Sequence, residues 1–149
     1  MDAELRAKIV NTFAHARDLT IATNRADGFP QATTVSYVND GLKLYFGCSG
    51  DSQKAQNIAR DNRVSVSITC DYRGWEEIKG VSMAATAERI TDPSEIIRVG
   101  KLMFAKFPQI AKYMPADAAA AGLYRVTPKI VSLLNYSKGF GHTDLVEVA

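Results

Sequence analysis

The chain has 149 residues, 46% hydrophobic and 23% charged, which is the balance of an ordinary globular domain long enough to bury a core. Its formal net charge of +2, mixed in sign along the chain, gives none of the basic footprint of a nucleic-acid binder or a membrane-surface protein. The longest low-polarity stretch, Ala116 to Leu123 with Asp117 inside it, is too short to span a bilayer.

Asp2 to Arg17 reads as a first helix, with Leu5, Ile9, Phe13 and Ala16 on one face. Because Asp2 and Glu4 stand where a signal peptide needs an apolar run, the expected location is the cytoplasm. Leu19 to Arg25 alternates as a strand with Leu19, Ile21 and Thr23 on one side. Ala26-Asp27-Gly28-Phe29-Pro30 is turn chemistry, and Gln31 to Val38, rich in Thr and Val, is the second strand. Asn39-Asp40-Gly41 predicts a hairpin leading into Leu42 to Gly47.

Asp51 or Ser52 caps a short helix with Ala55, Ile58 and Ala59 on its apolar stripe, and Asp61-Asn62 stops it. Arg63 to Cys70 alternates Val64, Val66, Ile68 and Cys70 against Ser65, Ser67 and Thr69, the pattern of a half-buried strand. A turn at Tyr72 to Trp75 precedes a long strand over Glu77 to Ile90, with Glu76 and Glu77 on opposite faces at its start. Asp92-Pro93-Ser94-Glu95 opens a helix that runs to about Phe107 and buries Ile96, Val99, Met103 and Phe107. Gln109 to Ala121 reads as short helix and connection. Leu123 to Thr127 and Ile130 to Tyr136 read as two strands joined through Pro128, and Leu145 to Val148 as a short last strand.

This order gives six or seven mostly antiparallel strands broken by single helices, with no βαβ alternation. The fold class is therefore α+β, mainly β, a closed or nearly closed barrel in a single domain over residues 1–149.

The segment from Phe46 to Ile68 carries the chemistry. A strand ends at Phe46-Gly47, a polar loop follows, and a helix begins, so backbone N–H groups point out of a helix N-terminus at an anion. Ser49 and Ser52 add hydroxyls, and Lys54 adds a compact cation within the first turn. A phosphate monoester needs such a set. The same residues also serve as plain caps and solvated surface elsewhere, and GxxxxGK[ST] is absent.

Gly28-Phe29-Pro30, Asp40-Gly41-Leu42, Leu44-Tyr45-Phe46, Ser52-Gln53-Lys54, Asn57 and Asp61-Asn62-Arg63-Val64 together resemble the flavin-binding, pyridoxamine 5′-phosphate oxidase-like split-barrel superfamily. Ala87-Glu88-Arg89-Ile90 and Leu123-Tyr124-Arg125-Val126-Thr127-Pro128 extend the resemblance over most of the chain. It implies a split β-barrel, Greek-key-like, with a few flanking helices. It also implies flavin mononucleotide (FMN) as cofactor and a homodimer with the flavin at the interface. Lys54 and Ser52 would hold the phosphate with Gln53 nearby; Gln31 to Ser36, including Thr33, would run beside the isoalloxazine. Thr34, Val35 and Ser36 would meet the ring edge, and Phe46, Gly47 and Cys48 would line the ribityl chain. Trp75 and Tyr136 are candidates for the second subunit's contribution.

Family oxidases of pyridoxine phosphate carry Arg where this chain has Gln31, Lys where it has Ser36, and a late Arg-x-His motif where the tail reads Lys138-Gly139-Phe140-Gly141-His142. The resemblance thus implies a flavin-dependent oxidoreductase on another small molecule, with no catalytic side chain identified. The alternatives are a flavin carrier or sensor without turnover, or a deazaflavin- or haem-binding member of the same fold.

Trp75 and Tyr136 read equally as core or dimer-contact aromatics, and Cys48 as an inert thiol. His142 reads as a surface residue of the tail, or as a haem ligand or proton donor; His15 reads as surface. Two histidines and two scattered cysteines predict neither a metal site nor a disulfide.

Overall fold

The structure, a computed structural model, describes residues 1–113 and 121–148. Helix α1 (Ala3–His15) starts at Asp2, whose carboxylate accepts from the Leu5 N–H at 2.8 Å. Strands β1 (Asp18–Asn24), β2 (Pro30–Ser36), β3 (Val38–Asp40) and β4 (Lys43–Ser49) follow. Then come α2 (Gln53–Arg60), β5 (Arg63–Thr69), β6 (Lys79–Arg89) and α3 (Pro93–Lys106). Strands β7 (Ala121–Asn135) and β8 (Thr143–Glu147) complete the order.

All eight strands form one antiparallel sheet in the order β2-β1-β5-β6-β7-β4-β3, with β8 on β7. Only Tyr37 separates β2 from β3, although they lie at opposite ends of that order. The sheet must therefore curl until its ends meet. Strand β7 makes the split: Ala121 to Val126 pair with β4, and Ile130 to Leu134 pair with β8.

The predicted second strand ends earlier than its composition suggests. Tyr37 is fully buried, and its hydroxyl donates to the Phe13 carbonyl of α1. That anchor turns the chain and makes β3 a separate strand. Gly41, at φ 59°, closes the hairpin that Asn39-Asp40-Gly41 predicts.

Pro128 does not interrupt β7. The register with β6 slips between Ala84 and Ala85, which face Ile130 and Pro128, so Lys129 is the extra residue of a bulge. A bulge is where a sheet accepts a residue without an N–H, and two expected strands become one.

The barrel interior follows the period of two. Val64, Val66 and Ile68 of β5 are buried, while Ser65, Ser67 and Thr69 are exposed. Ile9 and Phe13 of α1 join this core. A second core lies outside the barrel, where Val99 and Met103 of α3 pack with Val38, Tyr45 and Ile90. Ile96 is 38% exposed and Phe107 only half-buried, contrary to the helical period, because the flank of α3 that carries them faces an open cavity and not the sheet. Glu76 and Glu77 sit in a 3-10 turn (Trp75–Glu77) and not at a strand start, with Glu77 accepting from the Arg73 N–H.

The outer face of the sheet is built of small residues in register. Thr34, Thr20, Ser67, Ser82, Ser132 and Leu145 form one row across β2, β1, β5, β6, β7 and β8. Ala32, Ala22, Ser65, Ala84 and Ile130 form the next.

Candidate functional site

The loop after β4 leads into the N-terminus of α2, where the sequence predicts an anion cradle. Ser52 is the N-cap of α2: its Oγ accepts from the Ala55 N–H at 3.2 Å and donates to the Ser49 carbonyl at 2.7 Å. The Ser52 carbonyl takes the Gln56 N–H. Of the four first-turn N–H groups, those of Gln53 and Lys54 thus have no protein acceptor among the described residues. Lys54 is half-buried and has no acidic partner within salt-bridge distance among the described residues. Ser49 turns inward on its own loop, its Oγ accepting from the Asp51 N–H at 3.3 Å.

Gln53 and Gln31 meet through a residue without a predicted role in the site. Asn57 is fully buried; its amide nitrogen donates to Thr23 Oγ1 at 3.0 Å and to Gln31 Oε1 at 3.3 Å. Its Oδ1 accepts from Gln53 Nε2 at 2.7 Å. In the sequence it stands in the family pattern, a polar residue one place before the apolar Ile58, without a stated part in the site.

Gln31, Thr33 and Val35 share the half-buried face of β2. Thr33 Oγ1 is buried and has no hydrogen-bond partner among the described residues. Among the described residues strand β2 pairs only with β1, so its other edge keeps free N–H and C=O groups, those of Thr34 and Ser36 among them.

A cavity of about 900 Å³ opens where β2, β4 and β7 face α3. Val35, Ser36, Gly47 and Cys48 reach it from the strands, and Ile96, Met103, Phe104 and Phe107 from the helix side. Cys48 joins cavity and cradle, its sulfur 3.6 Å from Ser52 Oγ. Phe46, predicted beside it, instead lies fully buried in the barrel, stacked on Tyr124 at 5.4 Å, so only the backbone of that residue is left to face a ligand.

Helix α3 is clamped by an ion cluster. Glu95 accepts from Arg125 Nη1 at 2.7 and 2.8 Å and from the Tyr45 hydroxyl at 3.0 Å, and Arg125 also meets Glu88 at 3.1 Å. The Arg125 guanidinium holds the Glu95 carboxyl below the ordinary carboxylate range. Arg98 pairs with Asp40 across to β3.

Trp75 and Tyr136 stand apart from all this. Trp75 is 67% exposed and packs on Phe140 at 5.7 Å, with Tyr136 edge-on to Phe140 at 5.2 Å. They lie at the Lys79–Asn135 end of the β6–β7 ladder, whereas the cavity lies at the Arg89–Tyr124 end, roughly 30 Å away at the rise of a strand. His142, in the same tail, is paired with Asp144 at 3.3 Å. The described residues contain no cluster of metal-ligating side chains and no helix long and apolar enough to cross a membrane. Part of the Ala116–Leu123 stretch and of the connection before β7 lies outside the described residues.

One curled antiparallel sheet, with its longest strand shared between two halves and a strand–loop–helix unit beside an open edge strand, defines the class: a split β-barrel. The family model for pyridoxamine 5′-phosphate oxidase matches residues 5–135, and the chain belongs to that family. Among solved structures it is similar to a haem-binding protein of Mycobacterium smegmatis, at 21% identity and TM-score 0.80 over 99% of this chain; it spans 58% of that longer protein. It is similar to a conserved hypothetical protein of Mycobacterium tuberculosis at 26% identity and TM-score 0.77, over 100% of this chain and 92% of the other. It is also similar to HutZ, the haem storage protein of Vibrio cholerae, at 21% identity and TM-score 0.69, over 87% of this chain and 92% of the other. No curated protein sequence matches the chain.

Proposed function

We propose that the protein binds FMN and acts as a flavin-dependent oxidoreductase on a small molecule. The observation that carries this reading is the half-buried Lys54 beside two acceptor-free N–H groups, on the same side of the barrel as the orphaned hydroxyl of Thr33. A phosphate fits the first set by charge and donor count, and a flavin ring offers the acceptor that Thr33 lacks.

Bound flavin would supply hydride or electron chemistry; the chain's own residues bind and orient it. Lys54 and the α2 N-terminus hold the phosphate. Gln31, fixed through Asn57, and the free edge of β2 at Thr34 and Ser36 face the ring, and Gly47 and Cys48 lie along the path between. The absence of a cation at Gln31 and Ser36 weighs against pyridoxamine phosphate as substrate.

The flavin site is completed by a second copy of the chain. The outer rows of the sheet, small from β2 to β6 and apolar at Ile130 and Leu145, allow close approach of a second copy, and Trp75 and Tyr136 lie too far from their own cradle to touch its ligand.

Haem is the second reading, favoured by the similarity in fold to two haem proteins. His142 is the tail residue able to serve it, though it is bound to Asp144. The absorbance spectrum of freshly purified protein, with mass analysis of whatever heating releases, separates these. A flavin spectrum and released FMN support the first reading. A Soret band, or a blue-shifted deazaflavin spectrum, overturns it. Bleaching of the flavin by a reduced nicotinamide distinguishes an enzyme from a carrier or sensor.

A further inference from the structure

We propose that the C-terminal half of α3 is a door on the cavity, hinged at Gly100 and latched by Lys106 to the end of α1. Such a door goes beyond the flavin reading and serves whichever ligand the cavity takes.

Helix α3 is held differently at its two ends. Its first half is clamped by the pairs Glu95–Arg125 and Arg98–Asp40 and by the Tyr45 hydroxyl, with Val99 fully buried behind them. Its second half buries only Met103, and a thioether side chain adapts to altered packing. Phe104 is 44% exposed, and Phe107 is half-buried. Among the described residues, a single polar bond ties this half to the rest of the chain: Lys106 Nζ donates to the Ala16 carbonyl at 2.7 Å.

That bond depends on charge. The ammonium has no carboxylate within salt-bridge distance among the described residues. It stands in the last turn of α3 and against the C-cap carbonyl of α1, so one cation serves the negative ends of two helices. It also lies 4.2 Å from the centre of the Tyr37 ring and 5.5 Å from that of Phe107. Helix ends and ring faces attract a cation and hold a neutral side chain far less well. Tyr37 is the buried joint between β2 and β3, next to Ser36 at the cavity's rim, so the latch fastens α3 to the strand it faces across the cavity.

Gly100 stands between the clamped half and the latched half. Glycine weakens a helix interior, and nothing lies within 4 Å of where its Cβ would be, so no packing in this chain calls for it. Beyond it, Lys101 to Lys106 form fewer than two turns, too short to stay helical once undocked. Met103, Phe104 and Phe107 line the cavity, so opening this half widens the way in.

The test is amide hydrogen exchange, followed by NMR on the full chain without added flavin, in Lys106→Met, Lys106→Gln and Lys106→Arg. The Met and Gln variants are expected to speed exchange at Lys101 to Phe107 by about tenfold or more, while Ile97 to Val99 and the amides of β5 and β6 change by less than about twofold. Lys106→Arg keeps the charge and is expected to stay within about threefold of the wild type. Cys48 faces the cavity, so its labelling by a bulky maleimide, read by peptide mapping, should quicken in the Met and Gln variants along with exchange. Unchanged exchange in Lys106→Met overturns the latch, and wild-type exchange in Lys106→Gln alone overturns its dependence on charge. Equal acceleration of both halves overturns the hinge. Faster exchange with constant Cys48 labelling overturns the door. If Lys106→Met does not fold, Gly100→Ala decides. Exchange at Lys101 to Phe107 slowed by about fivefold, with Ile97 to Val99 within about twofold, supports the hinge, and no change at either overturns it.

Discussion

The buried amide of Asn57 donates to the side-chain oxygen of Gln31, 3.3 Å away, and ties helix α2 to strand β2. The same amide serves Thr23, and its oxygen serves Gln53. Asn57→Ala leaves several buried polar groups without partners. We expect a loss of about 2–3 kcal/mol in urea denaturation, together with weaker FMN binding, because Gln31 is freed. A loss below about 0.5 kcal/mol would show that the network relaxes without cost.

Lys54→Ala removes the cradle's cation. FMN affinity should fall by about tenfold or more, the worth of a charge-assisted hydrogen bond, with little change in thermal midpoint. Affinity within about twofold of the wild type sinks the phosphate assignment.

Thr33→Val tests the orphaned hydroxyl from both sides. Replacing a buried group that lacks a partner by its apolar isostere should raise the stability of the flavin-free protein by about 1 kcal/mol. The same change should lower FMN affinity severalfold. Stability that falls, or flavin affinity that stays constant, argues that Thr33 faces no ligand.

Glu95 makes the seat of α3 sensitive to acid. Its folded-state pKa lies below the ordinary value of 4.5, so its contribution is fully present above that value and is lost as pH falls below it. Near-neutral stability should therefore hold down to about pH 5 and then drop, and Glu95→Gln should flatten the drop. An unchanged acid limb in urea titrations of that variant assigns the loss to other carboxylates.

Ser67 and Ser82 face each other in the middle of the small-residue outer row. Ser67→Arg places a long charge where a second copy would lie flat. Sedimentation should then show half the mass of the wild type, with FMN affinity reduced because the partner's residues are lost. A wild-type chain that sediments as a monomer removes the dimer from the reading altogether.

Much of this was legible in the sequence because it is local. Alternating Val64, Val66 and Ile68, the Asp92-Pro93 helix start, the Asn39-Asp40-Gly41 turn and the Ser52 cap each act over a few residues, and the structure has all of them. The order of elements and the family pattern sufficed for the split barrel. What needed the tertiary structure is nonlocal. Pro128 stops a strand unless it falls at a bulge, and only pairing against Ala84 and Ala85 makes Lys129 the extra residue of one. Ile96 keeps the helical period of a core residue, yet it is partly exposed because its side of α3 lines the cavity. Phe46 sits beside Gly47 and Cys48 in the chain but on the other face of β4, so its ring belongs to the barrel core. Asn57 stands in the family pattern, yet its part as a buried amide bridge acquires meaning only from the strands that bring Thr23 and Gln31 to it.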